Sequence, residues 1–370
     1  MGLTSMAVLL LAIAAAVVLF GLTIWLWPRL GKKGFGSVAG RVGMLLATQI
    51  SLFAAIGLWA NQSFGFYGSW ADLFGQVKDE GVVVDHSAAG KRVQVVGIQA
   101  VKVPRGNVPR VGGKIEKINI AGPDSKINSP AYVYLPPEYF QPEYANKTFP
   151  ASVVLTGYPG TAEALIKGLD YPVRAHKLAK DKKMQPTVLV MMRPTVAPPR
   201  DTECMDIPNG PQTETFFAKD LRKAISQQYR VGDKAANWGM IGDSTGGYCA
   251  LKIAMRHPDS YSAAASLSGY YKAPQDPTTG SLFGGSKQLE NENDLMWRLK
   301  NKELPPISVL VTSSKKGEHN YKDTMKFIGL AAKSPTRVSS MILDSGGHNF
   351  NTWRRELNPT LTWMGSRLVA

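Results

Sequence analysis

Met6 to Trp27 is a run of 22 residues without a charged side chain, long enough to cross the hydrocarbon core of a bilayer as one helix. A second uncharged run, Val42 to Ala60, has 19 residues and only Thr48, Gln49 and Ser51 as polar interruptions. Trp25, Trp27 and Trp59 fall near the ends of these runs, where amphipathic rings favour the membrane interface. Arg29, Lys32, Lys33 and Arg41 lie between the runs with no acid among them, whereas Asp72, Lys78, Asp79 and Glu80 after the second run mix signs. The positive-inside tendency then places the short loop in the cytoplasm, and the N-terminus and everything after Ala60 outside. A cleaved signal peptide usually opens with positive charge, and residues 1–5 carry none. A buried core helix suits the second run alone, and its pairing with the first argues against that. The expectation is an anchor of two transmembrane helices over residues 1–60, a lipid bilayer as its partner, and a cell-membrane protein whose remainder is extracytoplasmic.

The rest of the chain has the make-up of a globular protein: across all 370 residues, 44% are hydrophobic and 19% charged. Of the net charge of +15, four units belong to the loop between the runs, which leaves +11 for residues 61–370. Such a surface suits anionic polymers or headgroups, and equally a solvated basic face with no partner. There is no zinc-ligand spacing, no glycine-rich nucleotide loop and no basic tract interleaved with aromatics, so the sequence points to neither a metal, a cofactor nor nucleic acid. Residues 61–112 are rich in Gly, Val and small polar residues, with short alternation at Arg92–Val96, and read as a linker with a strand or two of its own.

From Gly113 to the end, short apolar runs alternate with helical patterns, which predicts an α/β domain over 113–370 with a mostly parallel sheet flanked by helices. The runs are Ala131–Leu135, Ala151–Thr156, Thr187–Met192, Trp238–Ile241, Ser262–Leu267, Ile307–Thr312 and Val338–Leu343, the first two expected to pair antiparallel. Helix patterns cover Thr215–Gln228 and Gly247–Arg256. Between an apolar strand and an apolar helix lies Gly242-Asp243-Ser244-Thr245-Gly246, a Gly-x-Ser-x-Gly motif in the setting of the strand–turn–helix elbow that presents a nucleophilic serine in α/β-hydrolases. Glycine at both ends leaves room where strand and helix backbones come close.

A serine hydroxyl needs a base to become a nucleophile. Of five histidines, His348 follows the last strand in a loop, Gly346-Gly347-His348, that can turn sharply over the sheet edge. His257 sits at a helix end, where capping carbonyls is the simpler role, and His319 is a weaker rival. The acid belongs after Ile307–Thr312, so that Ser, acid and His follow in chain order; Glu318 is the first choice and Asp323, inside the next helix, the second. Asp344, on the last strand, is expected to point elsewhere. The backbone N–H groups of Thr245 and Tyr158 are the candidate oxyanion donors, the latter in Thr156-Gly157-Tyr158-Pro159-Gly160.

Phe149–Gly157, Gly242–Gly247, His257-Pro258-Asp259 through Ser268-Gly269, and Gly346-Gly347-His348 with Trp353 resemble the esterase D family of α/β-hydrolases, which includes mycolyltransferases and secreted carboxylesterases. The resemblance covers about Pro130 to Leu368. It implies an acyl-enzyme carried by Ser244, Glu318 and His348, with an acyl ester, a lipid or glycolipid among them, as substrate. The oxyanion loop departs from the family, having Thr156-Gly157 where members commonly carry His-Gly or Asp-Gly. The chain's two cysteines, Cys204 and Cys249, suggest one disulfide in an outward-facing domain, or two buried thiols. Two functions follow: ester chemistry outside the membrane, by hydrolysis or transfer, or a catalytically dead hydrolase domain that binds or scaffolds the envelope.

Overall fold

The computed structural model describes residues 2–3, 5–31, 34–64, 67, 70–73, 92–198, 200–333 and 335–370. Lys32, Lys33, Lys78, Asp79 and Glu80, and the side chain of Asp72, lie outside the described part, so the charge argument for sidedness rests on sequence alone. The chain forms two compact units, Met1–Gly81 and Val82–Ala370.

In the first unit α1 (Met6–Leu26) and α2 (Phe35–Phe64) pack on each other, with the Thr23 and Thr48 hydroxyls 2.9 Å apart. Each of these threonines also donates to the carbonyl one turn back, Leu19 and Met44, so no hydroxyl hydrogen is left bare among apolar neighbours. Arg29 lies over the Trp25 ring and Arg41 over Trp27. The second helix starts before, and ends beyond, its apolar run, because a helix satisfies its own backbone whatever side chains it carries. By length and composition both helices are candidate membrane spans, and most of their side chains are exposed.

The second unit is built on a nine-stranded sheet of order β1-β2-β3-β5-β4-β6-β7-β8-β9. Its strands are β1 Val93–Ala100, β2 Lys114–Gly122, β3 Ile127–Leu135, β4 Ala151–Leu155, β5 Val188–Met192, β6 Trp238–Asp243, β7 Ala263–Leu267, β8 Ser308–Lys316 and β9 Arg337–Ser345. The first three pair antiparallel, β3 meets β5 antiparallel, and β5, β4, β6, β7, β8 and β9 are parallel. The sheet begins at Val93, within the 61–112 segment where a strand or two was expected, and its first pairing carries a register shift between Val95 and Gly97. One sequence expectation is corrected. The strands at Ala131–Leu135 and Ala151–Thr156 are not neighbours. The chain leaves β3 through two 3₁₀ turns, Pro137–Phe140 and Pro142–Tyr144, and β5 takes the place between β3 and β4.

The central strands are buried on both faces and so read as continuous apolar runs. Val153 and Leu155 point into one core with Phe216, Leu251 and Ile253, while Val154 points into the other with Leu165, Trp353 and Leu357. Each such side chain, fully withdrawn from water, contributes about 1.5–3 kcal/mol. The Thr245–Arg256 helix covers the first face, and the Tyr171–Lys180 and Phe350–Gly365 helices the second. Adjacent strands β4, β6, β7, β8 and β9 therefore deliver their carboxyl ends along one edge, where open α/β sheets bind ligands.

Candidate active site

Ser244 links β6 to the Thr245–Arg256 helix at φ 53° and ψ −121°, a conformation that costs a residue with a Cβ about 1–3 kcal/mol. The turn is held by Ser244 N–H donating to the Leu267 carbonyl at 3.0 Å and by Gly247 and Tyr248 N–H donating back to the Ser244 carbonyl. A Cβ on Gly242 would overlap the Gly246 carbonyl, and one on Gly246 would overlap the end of β4, so the motif's glycines are required by close approach.

The β8–β9 ladder runs to Lys316 opposite Ser345, and Gly346 N–H donates to the Lys316 carbonyl at 3.0 Å. The two turns beyond it are therefore packed backbone to backbone: Gly317, at φ +94°, has no room for a Cβ against Gly346. That contact sets Glu318 beside His348. His348 Nε2 lies 2.8 Å from Ser244 Oγ, and its Nδ1 lies 3.3 Å from Glu318 Oε2. The Glu318 side chain is only 2% exposed, whereas His348 is 40% exposed, so the acid is shielded while the ring faces outward. Trp353 meets the imidazole edge-on at 5.2 Å between ring centres.

Asp323 lies exposed in the first turn of the Tyr321–Ala331 helix, and Asp344 is exposed and paired with Lys315 at 2.8 Å. His319 is exposed. His257 does stand at a helix C-terminus, but its Nε2 meets Glu214 Oε1 at 2.7 Å rather than capping a carbonyl; a carboxylate reached from another helix outcompetes the local backbone. Burial alone would push Glu214 up, yet the His257 hydrogen bond and the charges of Lys252 and Arg256 bring it down to about 2.

The Thr245 and Tyr158 N–H groups have no hydrogen-bond partner among the described residues; Thr245 is the first residue of its helix, where no earlier carbonyl is available. The Thr156–Gly160 loop is docked by a residue the sequence reading passed over. Asp243, the variable position of the serine motif, accepts the Gly157 N–H at 2.9 Å through Oδ2. Burial pushes its carboxyl up to about 7, against the pull of the Gly157 N–H and of His348. A Cβ on Gly157 would stand 2.9 Å from the Ser244 Cβ, which explains glycine there. A second buried acid, Glu356, accepts from Thr312 Oγ1 at 2.8 Å, and burial pushes it up to about 8. Cys204 and Cys249 are both buried and joined by a disulfide, Cα–Cα 5.7 Å.

The esterase family model matches residues 125–364. An uncharacterized protein of Corynebacterium glutamicum is 24% identical over 260 residues, covering 64% of this chain and 57% of that protein, so the chain spans little more than half the length of this relative. Among solved structures, an S-formylglutathione hydrolase from Agrobacterium tumefaciens superposes with a TM-score of 0.60 at 15% identity, covering 75% of this chain and 100% of that one. A fluorophosphonate-binding serine hydrolase of Staphylococcus aureus superposes with a TM-score of 0.54 at 17% identity, covering 68% and 98%. At these identities the structures speak for the fold, a mostly parallel α/β sheet flanked by helices, and the family match covers the sheet from β3 to β9 with every residue of the site. The chain belongs to the esterase family.

Proposed function

We propose that the protein is a membrane-anchored serine esterase whose catalytic unit works outside the membrane through an acyl-enzyme on Ser244. Ser244 Oγ attacks the ester carbonyl while His348 Nε2 removes its proton, and the same nitrogen then protonates the departing alkoxide. Glu318 keeps the Nδ1–H of the ring oriented and balances the imidazolium that forms. The Tyr158 and Thr245 N–H groups receive the oxyanion, and the amino end of the helix behind Ser244 adds positive dipole there. In the second half His348 deprotonates water, or an alcohol held in its place, and Ser244 is regenerated. A hydroxyl bound in line can reach an effective concentration of about 10⁵ M, so a glycolipid acceptor held at the membrane face would outcompete water.

The observation that carries this reading is the 2.8 Å contact between Ser244 Oγ and His348 Nε2 on a serine with a left-handed backbone. A fluorophosphonate that cannot cross membranes tests both halves at once. Labelling of the wild-type protein, but not Ser244→Ala, in intact cells is expected. Labelling only after lysis would contradict the outward orientation, and equal labelling of Ser244→Ala would contradict the serine assignment.

A further inference from the structure

The reaction just described uses the Thr245 N–H and leaves its side chain without a task. That hydroxyl is not idle: Thr245 Oγ1 lies 3.0 Å from Tyr270 Oη, which in turn lies 2.7 Å from both carboxyl oxygens of Glu203. Tyr270 follows β7 through Ser268 and Gly269, and its ring stacks on Tyr248 of the serine helix at 5.1 Å. Glu203 is 1% exposed and, with Cys204, holds a left-handed backbone, φ 49° and 52°.

Two successive residues with side chains keep that conformation only where their surroundings impose it. Here the serine helix imposes it twice, one turn apart. Cys249 is bonded to Cys204, and the buried Lys252 ammonium donates to the Glu203 and Cys204 carbonyls at 2.8 Å each. The helix that presents Ser244 thus also grips the loop whose carboxyl reaches back, through Tyr270, to the residue after Ser244.

Tyr270 has one hydroxyl hydrogen to share between two neighbours. With Glu203 ionised, Tyr270 donates to the carboxylate and the Thr245 hydroxyl must donate to Tyr270. With Glu203 neutral, the chain can run the other way, from Glu203 to Tyr270 to Thr245 Oγ1, which frees the threonine hydrogen. We propose that Tyr270 and Glu203 are positioning residues for the oxyanion donor Thr245, and that the neutral form of Glu203 sets the chain in its productive direction; this rests on the serine-esterase reading above.

Burial pushes the Glu203 carboxyl up to about 8, with Asp201 and Asp276 adding to the rise against the Tyr270 hydrogen bond and the Lys252 charge. Asp201, which burial pushes up to about 6, accepts the Glu203 N–H at 3.0 Å and ionises at lower pH than Glu203 does. The productive direction is therefore present at neutral pH and lost as pH rises through about 8.

The test uses the full chain in detergent with p-nitrophenyl acetate, from about pH 6 to about pH 9.5. Tyr270→Phe is expected to lower kcat about 10- to 100-fold with KM held within about twofold, because the donor is misplaced only where the oxyanion forms. Glu203→Gln, which keeps the neutral form at every pH, is expected to lose the fall in kcat that the wild type shows above about pH 8. A Tyr270→Phe enzyme with unchanged kcat, or a Glu203→Gln profile that retains the wild-type fall, would overturn the proposal. Wild-type protein that fails to react with a fluorophosphonate would remove the serine reading itself, so the two failures are distinguishable.

Discussion

Among the described residues the esterase unit contains two histidine–glutamate pairs, and the better bonded one is not at the site. His257 meets Glu214 at 2.7 Å, while His348 stands 3.3 Å from Glu318. The difference lies in what surrounds each pair. Glu214 is also met by Arg256 at 2.6 Å and Lys252 at 3.8 Å, so it is neutralised by cations and serves to bury them. Glu318 has no Lys or Arg partner among the described residues and meets only the imidazole, whose other nitrogen faces a serine hydroxyl on a strained turn. Proximity of an acid to a histidine is a packing fact. A proton path from a nucleophile through the ring is a chemical one.

Substitutions separate the pairs, beginning with the largest effect. Ser244→Ala and His348→Ala should each lower kcat by about 10⁶-fold, since the serine attack and the proton removal are one event. His257→Ala, measured alongside, should leave kcat within a few-fold. Glu318→Gln should lower kcat by about 10⁴-fold through loss of the orienting carboxylate, while Asp323→Asn, which alters only an exposed helix start, should change little. Reversal of that last pair of results would keep the fold and move the acid.

Glu214→Gln probes the other pair and should strike stability instead. It leaves the Lys252 ammonium buried beside an uncharged amide, a change expected to cost about 3–5 kcal/mol, read from thermal unfolding, with the folded fraction still active. The pH dependence has a defined sign. The Glu214 carboxyl is depressed from 4.5 to about 2 in the fold, so its contribution is complete above about pH 4.5 and is lost as pH falls toward 2. The Glu214→Gln protein should lack that part of the acid transition.

The same contrast explains what could be read from the chain beforehand. The serine turn is written in local sequence because its glycines answer to contacts within a few residues and with one neighbouring strand. Ser244, Glu318 and His348 follow β6, β8 and β9 in chain order, and the parallel sheet brings those strand ends to one edge. Partners that depend on distant segments left no local trace. β5 inserts between β3 and β4, Glu214 reaches His257 across 43 residues, and Glu203 reaches Tyr270 across 67. Asp243 could have been noticed, since an acid beside a nucleophilic serine must point away from it, but its target, the Gly157 N–H, is 86 residues earlier.

The most direct measurement is the mass of the enzyme during turnover of a slowly deacylated ester. The account predicts that the intact chain gains one acyl group, that digestion places it on the peptide containing Ser244, and that Ser244→Ala shows none. Steady ester hydrolysis with no adduct on that peptide, or an adduct on another residue, would contradict it.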